Sequence, residues 1–158
     1  GGRCSRRFWR VRAFNTWLPR PVVGTQGMSP VTWHRVVESW GAAQLQSRFR
    51  DLAGRDMNGE DYATWAAIRS IGTAVTDLGD ASPNAIRNFL FSDKFQLAAF
   101  KGRKLTYRGW NGQLRQPIPL IHPRGLVARA PFEGFLHPNT NMDTLGFDEP
   151  ESNCRING

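Results

Sequence analysis

The stretch from Asn58 to Ile121, NGEDYATWAAIRSIGTAVTDLGDASPNAIRNFLFSDKFQLAAFKGRKLTYRGWNGQLRQPIPLI, carries the densest local signals in the chain. Asn58 is a helix-capping residue type, because its side-chain oxygen accepts from an orphan N–H of the first turn. Glu60 and Asp61 add negative charge at the positive end of the helix dipole. Tyr62, Trp65, Ile68, Ile71, Val75 and Leu78 follow at helical spacing and stop before Gly79, which predicts a buried helix with these residues on its packed stripe. Ser82 and Pro83 give a second start signal: a hydroxyl accepts from a first-turn N–H, and proline occupies the first helical position without losing a bond. Ile86, Phe89 and Leu90 supply the apolar face of that second helix. Leu105, Tyr107, Trp110, Leu114, Ile118, Leu120 and Ile121 then predict two strands, with Asn111-Gly112 where positive φ angles are needed. The reading is an α/β chain.

Working outward, Trp33, His34 and Val37 lead to Trp40-Gly41, and Leu45, Phe49 and Leu52 continue at helical spacing to Gly54. Gly41 marks a break or a close approach, since glycine costs about 1 kcal/mol inside a helix relative to alanine. Trp33, Trp40 and Phe49 are expected in the core and His34 in a structural role. Upstream, NTWLPRPVVGTQGMSP (residues 15–30) holds three prolines and two glycines, so it reads as an extended connection rather than a central strand or a helix. Within it Asn15, Thr16, Trp17 and Arg20 combine an amide, a hydroxyl, an aromatic face and a fixed cation, a set suited to a small polar ligand; an ordinary packed Trp with solvated neighbours is the simpler alternative. Downstream, Leu126-Val127-Ala128 predicts a short strand, and the tail from Pro131 to Gly158 is expected to wrap the surface, pinned by Phe132, Phe135, Leu136, Leu145 and Phe147.

A net charge of +8 first suggests an anionic partner. Five of the 21 basic residues, Arg3, Arg6, Arg7, Arg10 and Arg12, fall in an acid-free head (residues 1–14), so the body carries 16 basic against 13 acidic groups and is only mildly basic. With Phe8 and Trp9 the head has the ingredients of a nucleic-acid arm, phosphate contacts plus base stacking, and a small basic nucleic-acid-binding module is the alternative to the function given below. No run approaches the ~20 apolar residues of a membrane span, and the N-terminus lacks the apolar core of a secretory signal. Cys4 and Cys154 match no metal spacing; a disulfide between them requires an oxidising compartment, and two unrelated thiols is the simpler reading.

Signatures of chemistry are missing. There is no phosphate-binding glycine loop, no GxSxG elbow, no HExxH and no Cys beside a His, which argues against an enzyme and against a bound cofactor. Asn139, Asn141 and Asp143 imitate the odd-position spacing of a calcium loop, but Leu145 stands near where the turn glycine belongs and Pro150 where the closing glutamate belongs, so no metal site is expected.

The segments DYATWAAIRSIGTAV, SPNAIRNFL and FKGRKLTYRGWNGQLRQPIPLI, in that order, resemble the C-terminal part of the type I periplasmic solute-binding proteins, the leucine/isoleucine/valine-binding family of ABC importers. NTWLPRPVVGTQG, WGAAQLQSRF, NGQLRQPIPL and EGFLHPNTNMDTLGFDEPES followed by Cys154 resemble, more narrowly, the subgroup associated with pyrroloquinoline quinone-dependent alcohol dehydrogenase systems. The resemblance implies a partial type I periplasmic-binding-protein fold, a C-terminal fragment of a two-lobed open-sheet architecture in a family more than twice this length. It further implies a small-molecule solute bound without chemistry, ABC permease subunits as partners, no nucleic acid, and a periplasmic location. Residues 31–122 would form the helix-helix-strand-strand part of one lobe, with the chain crossing between lobes near residues 22–30 and again near residues 117–121. Asn15 to Arg20 is the stretch expected at the ligand cleft, and residues 123–158 the closing strand and extended tail. Half a lobe would leave sheet edges and apolar faces uncovered.

Overall fold

The structure, a computed structural model, describes residues 27–154. The arginine-rich head, Cys4, most of the 15–30 connection and the candidate ligand residues Asn15, Thr16, Trp17 and Arg20 lie outside the described residues.

A mixed α/β arrangement of three helices and two small antiparallel sheets is formed by the described residues. After strand β1 (Ser29–Pro30), a 3-10 turn over Ser39–Gly41 leads into helix α1 (Ala42–Ala53), followed by α2 (Gly59–Leu78) and α3 (Pro83–Leu90). Strands β2 (Leu97–Ala98), β3 (Lys104–Tyr107) and β4 (Leu114–Arg115) make one sheet in that order. Strands β5 (Ile118–His122) and β6 (Gly125–Ala130) join β1 in the other, with β5 central.

Local chemistry explains the helix ends. Asn58 accepts from the Asp61 N–H at 2.9 Å while the Asp61 carboxylate accepts from the Asn58 N–H at 3.0 Å, so two first-turn donors are satisfied reciprocally at the start of α2. The helix closes at Gly79, and α1 closes at Gly54. Pro83 occupies the first turn of α3, as expected, but the Ser82 hydroxyl turns away from the helix and donates to Asp80 at 2.9 Å. Asp80 wins because it also accepts the Ser82 N–H, closing a compact local ring ahead of the helix.

The packed face of α2 differs from the expected stripe. Tyr62, Ala66, Ser70 and Ala74 are buried, whereas Ile68 is 67% exposed and Ile71 and Leu78 also face solvent. Small side chains at every fourth position let α3 and β2 approach the helix closely, an approach the bulkier stripe does not permit. Ser70 donates to the Ala66 carbonyl and meets the Tyr107 hydroxyl at 2.9 Å, tying that face to β3. Tyr62 anchors the core: its ring stacks on Trp33 at 4.7 Å and its hydroxyl donates to the Ala99 carbonyl at 2.9 Å. Trp33, buried as expected, donates to the Gln46 side chain at 2.9 Å; Phe95, Leu97 and Leu105 complete the interior. Leu52, read on the α1 stripe, is 90% exposed, and Trp40 is half exposed rather than buried.

The expected pair of strands is three. Pro117 separates β4 from β5, and the latter leaves the β3–β4 ladder to pair with β1 and β6. Between β3 and β4 the chain makes a four-residue loop closed by Arg108 N–H to Gln113 O at 2.9 Å, in which Gly112 alone takes a positive φ, 71°. Asn111 instead uses its side chain to accept the Gln113 N–H at 3.0 Å.

The tail is held differently from the expectation. Phe132, Phe135, Leu136 and Phe147 are exposed, while Met142 is buried and Arg108 is only 2% exposed. The Arg108 guanidinium donates to Asp143 Oδ1 at 2.8 Å and to the carbonyls of Asp143, Leu145 and Phe147 at 3.0 Å each. Arg115 adds a second guanidinium on Asp143, at 2.7 Å. Polar capture wins because a buried guanidinium must fill its donors, and the tail's carbonyls converge on it.

Candidate functional site

A groove of about 720 Å³ opens between α1, α2 and the β2–β3 connection. Helical spacing places Leu45, Arg48, Phe49 and Leu52 on one face of α1, and Trp65 with Arg69 one turn apart on α2, all toward the groove. The third wall is backbone-rich: Ala99, Phe100, Lys101, Gly102 and Arg103. Trp65 lies 5.6 Å from the Phe100 ring and 5.9 Å from Tyr62, which continues the Trp33 stack, so an aromatic column runs from the core to the groove.

Among the described residues two that bear side chains have left-handed backbones, Trp40 at φ 55° and Phe100 at φ 57°, and both line this groove. Such conformations cost energy and persist where surrounding packing dictates them. Here the packing is visible. A Cβ on Gly41 would meet the Phe100 ring at 3.0 Å, and one on Gly102 would meet the Trp40 indole at 2.8 Å, so each aromatic ring lies against a glycine. Arg129 stacks on Trp40 next to Gly102, its guanidinium carbon 3.7 Å from the ring centroid, and donates to the Lys101 carbonyl at 3.1 Å.

The charges are one-sided. Arg48, Arg69, Lys101, Arg103 and Lys104 line the groove and no Asp or Glu does. Among the described residues Arg48, Arg69, Arg103 and Lys104 make no ion pair. Lys101 is 5% exposed; its ammonium donates to the Thr32 carbonyl and sits 4.6 Å from the Tyr62 ring centroid. Burial pushes its pKa down to about 8. Burial, and then the nearby Arg103 charge, also lower the Arg129 pKa, a sign of crowded positive charge at this wall. Such an arrangement can hold an apolar body on the floor and an anion at the rim; it holds no nucleophile beside a base.

Elsewhere the polar clusters are filled. His34 accepts the Val36 N–H through Nδ1 at 3.3 Å, a structural role as expected. His137 accepts the Asn139 N–H through Nδ1 at 3.1 Å, which leaves Nε2 to donate to Asp148 at 3.2 Å. Asp143, read in sequence as a calcium-loop imitation, is occupied by the two guanidinia, and among the described residues no group of three His, Cys, Asp or Glu side chains is placed to hold a metal. Cys154 is exposed.

Sequence reasoning missed the groove. Its walls come from three separate segments, and the only local hint was FKGRK, an aromatic and a glycine among cations. Comparison with known proteins returned no matching family model, no matching curated protein and no matching solved structure.

Proposed function

We propose that the chain is the C-terminal part of the substrate-binding component of an ABC import system, a periplasmic protein that binds a small solute without chemistry and works alongside quinone-dependent alcohol oxidation. The supporting observation is a pairing. Ser29 and Pro30 lie opposite Ile121 and Leu120 in an antiparallel ladder, extended by Val31 N–H to Pro119 O at 3.0 Å. These are the two stretches that the resemblance makes inter-lobe crossings. Two adjacent crossings form a two-stranded hinge, the arrangement that lets one lobe close on the other as a rigid body. The mixed α/β body, with Trp33 to Gln116 on one side of those crossings, suits a portion of one lobe.

On this reading Asn15, Thr16, Trp17 and Arg20 reach the cleft, and the ligand is a small organic acid, amino acid or alcohol-oxidation product. The subgroup association motivates that class. Isothermal titration of the full-length protein with short-chain alcohols, aldehydes, carboxylates and amino acids tests it: one of them gives saturable heat, and Trp17→Ala with Arg20→Gln abolishes it. Absence of heat with every compound removes this ligand class.

A further inference from the structure

We propose that the groove between α1, α2 and the β2–β3 connection is a binding site for an amphiphilic monocarboxylate, a flat or medium-length apolar body with one anionic end. Three observations carry it. The volume, about 720 Å³, falls within the range of small-molecule sites. The floor and walls are Leu45, Phe49, Met57, Trp65 and Phe100, which offer an extended apolar and aromatic surface but no neutral side-chain amide or hydroxyl. Every ionisable side chain that lines the groove is basic, and Arg48 and Arg69, on the faces of the two helices, find no acidic partner among the described residues.

Charge decides the class. An apolar cation would meet several like charges without a counter-charge, and a neutral hydrocarbon would leave the guanidinia unused. A carboxylate accepts charge-assisted hydrogen bonds from arginine while its body covers Trp65 and Phe100. A singly charged end also suits the supply of cations, since Lys101 is buried with its ammonium on the Thr32 carbonyl and Arg48 and Arg69 are the exposed guanidinia that the two helices bring to the groove. The left-handed backbones of Trp40 and Phe100 belong to residues whose rings form part of the groove wall, the kind of strained position that concentrates at ligand sites.

The site is independent of the import reading. None of the strands of the β1–β5–β6 sheet supplies a residue to the groove, so failure of the cleft titrations leaves it intact. The test is an NMR titration of the chain with naphthoate, with naphthamide of the same shape as the uncharged control. Naphthoate is expected to shift the Trp40 and Trp65 indole N–H signals saturably and to leave Trp33, buried beneath, in place. Naphthamide should bind roughly tenfold more weakly, the loss of one charge-assisted contact. The double variant Arg48→Gln/Arg69→Gln should bring naphthoate down to the affinity of naphthamide. Both arginines are exposed, and the spectrum of the unliganded variant verifies that the fold is retained. Equal affinity for the two probes, unchanged affinity in the double variant, absence of any shift, or movement of Trp110 in place of Trp65 each overturns the proposal. Displacement of naphthoate by a short DNA duplex overturns it in favour of a polyanion.

Discussion

Arg108 illustrates how one side chain can outweigh a run of apolar ones. Removing it by Arg108→Ala leaves Asp143 with Arg115 alone and takes the donor from three tail carbonyls, and each acceptor left unsatisfied in this way costs about 1–3 kcal/mol. Chemical denaturation measures the cost, and Arg108→Lys should recover little of it, because an ammonium cannot reproduce the planar fork of donors. Asp143 gives the same contact a pH dependence. Burial raises its pKa, the guanidinia of Arg115 and Arg108 lower it more, and the outcome is a value of about 2. A carboxyl whose folded value lies below its unfolded value of 3.8 contributes stability at neutral pH, and that contribution is lost as pH falls through the interval between them. Tail resonances are therefore expected to broaden on acidification from about pH 4 to about pH 2, and Asp143→Asn should remove that transition. Lys101 shares that direction with pH but costs stability at neutral pH, because its buried charged form is the disfavoured one. Burial lowers its pKa to about 8, so the unfolded chain holds the proton more tightly and stability rises as pH increases from about 8 toward the ordinary lysine value. At Gly41, with φ 78° and the Phe100 ring against it, Gly41→Ala should destabilise by about 1–2 kcal/mol from the backbone alone.

Among the elements, α2 shows what periodicity reveals and what it hides. Its start and stop were legible because caps are local: Asn58 and Asp61 are three residues apart, and the chain ends the helix at Gly79. Its orientation was not. The sequence carries a bulky stripe, Ile68, Ile71, Val75 and Leu78, and a small one, Ala66, Ser70 and Ala74, and amphipathicity alone favours the bulkier. Close packing against α3 and β2 selects the smaller. Two substitutions measure the choice: Ala74→Leu should cost about 1–3 kcal/mol by overpacking, while Ile68→Gln should fall within about 0.5 kcal/mol of neutral. Thermal denaturation giving the reverse order would assign the packed face to the bulky stripe. The split of the last predicted strand was hidden for a related reason. Pro117 and Pro119 signal an interruption, but which sheet each half joins depends on β1 and β6, which are distant in sequence.

For the whole molecule, composition correctly indicated a chain able to bury a core, and the aromatic residues Trp33, Tyr62 and Phe95 form it. The groove was illegible because no single segment contains it; α1 and α2 supply cations one helical face at a time, and the aromatic wall depends on two backbone angles that no spacing announces. The charge count pointed to the arginine-rich head, whereas among the described residues five cations without an ion pair, Arg48, Arg69, Lys101, Arg103 and Lys104, collect at this groove. The hold on the tail has one more consequence. Arg108 grips the chain as a polydentate ligand grips an ion: after one bond lets go, the others keep its partner at high effective concentration, so re-formation is fast and partial release is rare. The amides near Met142, Leu145 and Phe147 should then exchange with solvent at a shared rate, as one cooperative unit.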